Sequence, residues 1–328
     1  MTIAVGSTKA NIAATVNLPT SASKTAPVGV VIAIGGIDNN AFLNKGIAVV
    51  TFDYGSVAAD SNSKTGSFWT LYKGKDIGMF LFQFSTLPTQ LKSLGNPPHL
   101  KPSPTNPPPT GTLLAWAWGF HRVLDGLTLQ VPEIDPKKVG VTGCSRLGKA
   151  ALAAGLFDTR ITVTIPESAG IQGIGPYRYH ALSGQDETLE NSKSGAGWWS
   201  NAALGTFVNQ MERLPFDAHT IAAAIAPRAL VIDQGRSDPY VNSKGTAVVV
   251  YPAAKLVYDW LAAGTEDRTS KIAIALRDGG HCDMSGYANV APYVQYIFSG
   301  TATTKNYADV SPWKVMPETY PWASLVPK

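Results

Sequence analysis

Six short runs rich in β-branched residues recur along this chain, with helical patterns between most of them. They are VGVVIAI (Val28–Ile34), IAVVTF (Ile47–Phe52), KVGVT (Lys138–Thr142), ITVTI (Ile161–Ile165), ALVID (Ala229–Asp233) and KIAIAL (Lys271–Leu276). VGVVIAI and IAVVTF, short β-branched runs ended by Gly or Asp, read as buried strands, and the other four read as strands as well. Gly111–Leu127 carries apolar residues at helical spacing with Thr112 as a cap, Arg146–Phe157 is rich in Ala, Leu, Gly and Lys and suits a helix, and Ala253–Ala263 and Val290–Phe298 also read as helical. Strands alternating with helices imply an α/β fold whose mostly parallel sheet is covered on both faces. Trp116 and Trp118 lie within the first helix and read as core.

Between Ser85 and Gly111 the chain holds eight prolines, including the run PTNPPPT. Proline lacks the amide donor and clashes with a preceding helical turn, so this stretch reads as a surface loop or polyproline-like crossover. Strand-like runs continue in the same style on both sides of it, and one domain over residues 1–328 is the expectation. No internal repeat is visible.

A net charge of +4, spread without a basic run, argues against nucleic acid, because a phosphate-tracking surface needs clustered Lys and Arg. No apolar run approaches the roughly 20 residues needed to cross a bilayer, so no membrane is expected. The start, MTIAVGSTKA, has no charged segment followed by an apolar one, so no signal peptide is read there. Abundant Asn, Ser and Thr beside a charged fraction of only 15% nevertheless fit a secreted protein.

The segment VTGCSRLGKA (Val141–Ala150) has the setting of a nucleophile elbow, a strand and then a tight turn into a helix. Gly143 and Gly148 would relieve crowding where the strand and helix backbones meet. The helix N-terminus would supply amides and a positive dipole end to a developing oxyanion. The pattern departs from G-x-S-x-G, since its second glycine falls one residue later. A serine that merely caps a helix after a buried strand fits the same segment.

A nucleophilic serine needs a base, and histidine is the usual one. Of the five histidines, His99 falls in the proline-rich stretch and His121 within a helix, while His180 and His219 lie in irregular polar sequence. His281 follows the last strong strand and a Gly279–Gly280 turn, where the histidine stands in the serine, acid, histidine order of α/β-hydrolases. The chain has two cysteines, Cys144 beside Ser145 and Cys282 beside His281. A disulfide holds two Cα atoms at roughly 6 Å, so that pairing would make the serine and histidine neighbours. Two free buried thiols, ordinary in a cytosolic protein, are the alternative, but both cysteines adjoining the two residues a triad needs favours the bridge. Two cysteines and scattered histidines make no ligand cluster of usual spacing, so no metal and no other cofactor is expected.

GCSRLGKAALAAG followed by RITVTIPES resembles the glucuronoyl esterases of carbohydrate esterase family 15, whose signature is G-C-S-R-x-G-K. The likeness extends through TLLAWAWGFHRVLDGL, WWS (Trp198–Ser200), LPFDAH (Leu214–His219), IAPRALVI (Ile225–Ile232) and GGHCDM (Gly279–Met284), roughly Val28 to Phe298 in all. The resemblance implies an α/β-hydrolase three-layer sandwich, usually secreted. It also implies hydrolysis of the ester joining 4-O-methyl-glucuronic acid on xylan to lignin alcohols, and the Cys144–Cys282 bridge. Ser145 corresponds to the nucleophile and His281 to the general base. Arg146 corresponds to an oxyanion-stabilising cation, and Lys149 to a sugar-facing one a helical turn from the serine. Cations at a helix start oppose its dipole, so a reason other than helix stability is expected for both.

The family places its acid in either of two positions. In the first region, TIPESAG, Glu167 lies one residue before the family glutamate and Ser168 takes its aligned place. In the second, DQGRSDPYVN, Asp238 lies on a loop directly after ALVID, where a carboxylate can orient the far nitrogen of His281. Asp238 is preferred; an Asp-Pro turn and a buried structural Glu167 are the plainer readings of the two. QDETLENSKSGAGWWS is shorter than in fungal members, which leaves Glu187 as the candidate hydroxyl acceptor, Trp198 as core or sugar platform, and Tyr240 as a ring that stacks on the sugar. The expectation is a monomeric, secreted serine esterase acting on glucuronoxylan–lignin esters. Another acyl hydrolase on this fold, such as a lipase or deacetylase, and a non-catalytic polysaccharide-binding relative are the alternatives.

Overall fold

The computed structural model describes residues 1–72, 110–180, 186–264 and 270–325. The proline-rich stretch up to residue 109, with His99, lies outside them. Among the described residues the strands are β1 (Thr2–Val5), β2 (Thr8–Asn11), β3 (Ala14–Asn17), β4 (Val28–Ala33), β5 (Ala48–Phe52), β6 (Ile134–Cys144), β7 (Val163–Glu167), β8 (Ala229–Gly235) and β9 (Ile272–Arg277). The last six answer to the six β-branched runs. β1 and β2 form a separate hairpin, and the other seven make one sheet in the order β3-β5-β4-β6-β7-β8-β9. β3 runs antiparallel to β5 and every other pair is parallel.

Both faces of the sheet are covered, so Thr142 and Thr164 of its central strands are buried as fully as their apolar neighbours. Val30, Ile32 and Val141 point into a core with Trp116, Phe120 and Ala150, from the helices Thr112–Gln130 and Arg146–Phe157. Leu230, Ile232 and Ile274 extend this layer under Tyr258 and Ala254 of the helix Tyr251–Ala263. The intervening residues Val31, Val163, Ile165 and Val231 pack on the opposite face against Tyr287, Val290 and Val294 of the helix Ser285–Ser299. Alternate positions along each strand thus feed the two faces of the sheet, and the three layers are those of an α/β-hydrolase sandwich. Trp116 is buried and donates to the Ala58 carbonyl at 2.7 Å, and Trp118 packs on Phe68 and Tyr72, so both belong to the core.

Two local expectations are corrected. Thr112 does not cap its helix: Gly111 occupies the cap and Thr112 is the first, buried, helical residue. A side-chain cap is unnecessary because the Thr112 and Leu113 amides donate to the carbonyls of Trp198 and Trp199, at 2.9 and 3.1 Å. Gly111 must stay small there, since a Cβ would sit 2.2 Å from the Trp199 carbonyl oxygen. The last helix begins at Ser285 rather than Val290, and carries Pro292 inside it.

Register sets the site. Cys144 lies opposite Glu167 across β6 and β7, Glu167 opposite Asp233, and Gly235 opposite Arg277. The carboxyl ends of four parallel strands therefore finish along one edge, where ligands bind in open α/β sheets. The loops leaving that edge carry Ser145, Ser168, Asp238 and His281.

Candidate active site

Ser145 follows β6 with φ 58° and ψ −127°, a strained conformation for a residue with a side chain. Its amide donates to the Glu167 carbonyl at 2.9 Å and its carbonyl accepts from the Lys149 amide at 3.1 Å. It stands at the cap position, yet its side chain makes no cap hydrogen bond, so helix capping does not account for it. A Cβ on Gly143 would meet the Leu147 carbonyl oxygen at 2.8 Å, and one on Gly148 the Gly143 and Glu167 carbonyl oxygens at 2.7 Å. The third helical residue is thus the one pressed onto the strands, which explains the displaced second glycine.

Cys144 and Cys282 are bonded, with Cα atoms 5.5 Å apart across a sequence separation of 138. The bridge ties the elbow to the loop of His281, whose side chain offers a ring nitrogen within 4.8 Å of the sulfurs. His281 Nδ1 lies 3.0 and 2.9 Å from the two carboxylate oxygens of Asp238. Asp238 Oδ1 also accepts from the amides of Tyr240 and Val241, at 3.0 and 3.3 Å. Burial works to raise the Asp238 carboxyl, but the hydrogen bonds from His281 and the Tyr240 amide outweigh it and hold the group below its ordinary value. The edge of Tyr240 meets the imidazole at 5.1 Å between centroids, and the ring is 62% exposed. Ser145 and His281 line one cavity of about 360 Å³, together with Glu187, Asn191, Tyr240 and Val241.

Glu167, the other candidate acid, faces elsewhere. It is buried, and its Oε1 accepts from Arg277 Nη2 at 3.1 Å. Arg277 also donates to Ser168 Oγ at 3.2 Å and to the Gly280 carbonyl at 3.1 Å, and its Nε lies 3.4 Å from Asp233 Oδ1. Burial pushes the Glu167 carboxyl up, and Arg277 offsets only part of this. Burial likewise pushes Asp233 up to about 8, against the pull of the same guanidinium. Ser168, at the aligned place of the family glutamate, links this cluster to the histidine, because its hydroxyl also bonds Asp238. Arg277 and Asp233 were missed from the sequence. The available signal was a charged residue at the end of each of two otherwise apolar strands, where charge is rarely buried unpaired.

The cations beside the serine are both engaged. Lys149 is buried, donating to the Ile171 carbonyl at 2.6 Å and to Glu187 Oε2 at 2.5 Å, with its ammonium 5.5 Å from the Trp199 ring centroid. Burial lowers its proton affinity, and Glu187 opposes that shift. Glu187, rather than Lys149, is among the residues that line the cavity of Ser145 and His281, and Gly173 lies against the lysine stem. Arg146 Nε donates to Asp60 Oδ2 at 2.6 Å. Asp60 Oδ1 accepts from the indoles of Trp198 and Trp199, at 2.9 and 2.8 Å. These four residues line a second cavity of about 300 Å³, which shares Glu187 and Asn191 with the first. Trp198 is therefore a half-buried wall residue, and Asp60 had no sequence signal beyond a polar loop.

The remaining described histidines line neither cavity. His121 meets the Ala154 carbonyl at 3.0 Å, His219 stacks on Trp322, and His180 is exposed on the surface.

A family profile described as "Glucuronyl esterase, fungi" matches residues 1–83 and 106–262. The 4-O-methyl-glucuronoyl methylesterase of Hypocrea jecorina is 32% identical over 246 residues, covering 73% of this chain and 46% of that protein. The enzyme of the same name from Neurospora crassa is 27% identical over 332 residues, covering 98% of this chain and 73% of that one. This chain thus spans about half the length of the first of these relatives. A carbohydrate esterase family 15 glucuronoyl esterase from Caldicellulosiruptor kristjansonii superposes with a TM-score of 0.78 at 34% identity, covering 96% of this chain and 80% of that structure. With the family profile matched over most of its length, the chain belongs to the glucuronoyl esterase family.

Proposed function

We propose that this chain is a secreted, single-domain, monomeric serine esterase that cleaves esters of glucuronic or 4-O-methyl-glucuronic acid, as in lignin–glucuronoxylan linkages. The observation that carries the reading is His281, paired through Nδ1 with Asp238 and lining one cavity with Ser145. An Nδ1–H donated to Asp238 leaves Nε2 unprotonated and free to act as base. Ser145 attacks the uronoyl carbonyl carbon as its proton passes to His281. The tetrahedral oxyanion forms beside Arg146 and the first-turn amides of the elbow helix, which have no intrahelical acceptor. Collapse breaks the ester bond, the alcohol leaves with the proton from His281, and water repeats the sequence to release the uronic acid. Glu187, held by Lys149, is the hydroxyl acceptor at the cavity wall, and exposed Tyr240 is the ring available for stacking on the sugar. The methylesterase names of the relatives support this substrate class. An Asp238 carboxylate on the histidine also removes the motive for a non-catalytic reading, which was the displaced glutamate.

The test is hydrolysis of benzyl glucuronate against benzyl galacturonate and p-nitrophenyl acetate, by the wild type, Ser145→Ala, Asp238→Asn and Glu167→Gln. Ser145→Ala is expected to abolish turnover and Asp238→Asn to lower kcat on the order of 10³-fold or more, by analogy with loss of the orienting acid in other triads. A larger loss from Glu167→Gln than from Asp238→Asn would refute the assignment of the acid. Preference for the acetate ester would refute the substrate class.

A further inference from the structure

We propose that Asp60 is a positioning residue that aims Arg146 at the reacting ester, an inference that rests on the esterase reading above. Asp60 lies beyond β5, on the loop after the short helix Tyr54–Val57, and three N–H donors converge on its carboxylate from far along the chain. Arg146 Nε reaches Oδ2 at 2.6 Å, and the Trp198 and Trp199 indoles reach Oδ1 at 2.9 and 2.8 Å. An isolated surface ion pair contributes little and holds no fixed geometry. Here the carboxylate cannot turn without breaking two indole hydrogen bonds. The backbone that carries the indoles is anchored in its turn, because the Trp198 and Trp199 carbonyls accept from the first amides of the helix Thr112–Gln130, at 2.9 and 3.1 Å.

The consequence falls on the guanidinium. It is a rigid planar fork with five donors, so fixing its Nε edge also fixes the direction of both Nη groups. Arg146 directly follows the nucleophile and lines the cavity that shares Glu187 and Asn191 with the cavity of Ser145 and His281. A cation in that position helps catalysis only if its donors point to where the oxyanion forms, and Asp60 sets that direction. Its negative charge also balances Arg146, which leaves the second cavity suited to a neutral group rather than to a free carboxylate.

Asp60→Asn tests this. The amide keeps the size of the side chain and a carbonyl oxygen for the indoles, but places an NH2 where Arg146 needs an acceptor. Kinetics on benzyl glucuronate are compared for the wild type, Asp60→Asn, Arg146→Ala and the double variant, with indole near-UV circular dichroism as a check on folding. Loss of one preorganised oxyanion donor costs on the order of 10²-fold in kcat, so a mis-aimed Arg146 is expected to cost roughly 10- to 100-fold with KM little changed. In the Arg146→Ala background the same substitution should cost less than about threefold, because the two residues act as a unit. Asp60→Ser serves as a second variant in the same cycle. An equal loss in both backgrounds would mean a purely structural role, and no loss in either would mean no role; both overturn the proposal. The rate at which a fluorophosphonate labels Ser145 is measured on the same four proteins. A wild type that is labelled but leaves benzyl glucuronate intact would sink the substrate reading, while the labelling cycle would still decide the role of Asp60.

Discussion

Replacing Asp233 with asparagine should change how stability depends on pH. Asp233 is wholly buried and shares one guanidinium, that of Arg277, with the buried Glu167. Two acids beside one base leave an excess negative charge in a low-dielectric interior, and burial accordingly raises Asp233 from 3.8 to about 8. The folded protein then holds a proton over a range where the unfolded chain has released it. From about pH 4 to about pH 8, each rise in pH therefore favours unfolding through this group. At about 1.4 kcal/mol per tenfold in proton affinity, the upward move sets a ceiling of roughly 6 kcal/mol. Rearrangement of Glu167 and Arg277 absorbs part of it, so a difference on the order of 2 kcal/mol is expected across that window. Asparagine has nearly the same shape and no titration, and it leaves Glu167 and Arg277 as a balanced pair. Urea unfolding of both proteins at pH 5, 6, 7, 8 and 9 measures the effect directly. The wild type should lose stability relative to Asp233→Asn as pH rises to 8, and the difference should then level off. A pH-independent difference, or one in which the wild type gains, would refute the reasoning.

Further outcomes follow from the bridge and from the buried lysine. Replacing both Cys144 and Cys282 with serine opens a loop closed across a separation of 138 residues, which on the chain-entropy model is worth about 5 kcal/mol. Because the same bond holds the serine and histidine loops together, kcat should fall as well; an unchanged urea midpoint with unchanged kcat would contradict both statements. Lys149→Met leaves Glu187 without its partner at the cavity wall. KM for benzyl glucuronate should rise about tenfold with kcat within a few fold, as when a binding contact rather than a transition-state contact is lost. A fall in kcat at constant KM would place Lys149 in the chemical step instead.

Much of this was legible in the residues. Apolar periodicity is a local property, so the β-branched runs and the helix Arg146–Phe157 could be read from a few neighbouring side chains. The elbow was legible for the same reason, since Gly143, Ser145 and Gly148 answer to crowding within a single strand-to-helix turn. The two cysteines carried long-range information because a covalent bond admits only one partner each. The N-terminal hairpin escaped notice, although β1 and β2 flank the two-residue turn Gly6–Ser7. Antiparallel β3 escaped too, since half-exposed edge residues give a weak pattern.

What only the tertiary structure decided is which polar group meets which. TIPESAG and DQGRSDPYVN both offer a carboxylate after a buried strand, and the sequence favoured Asp238 without excluding Glu167. Glu167 is the last residue of β7, and strand register turns it inward to Arg277; Asp238 lies past the end of β8, free to reach His281. Arg146 finds Asp60 at a separation of 86 residues, and Lys149 finds Glu187 at 38. Hydrogen bonds and ion pairs depend on ångström-scale placement of distant loops, which packing sets and sequence spacing does not encode.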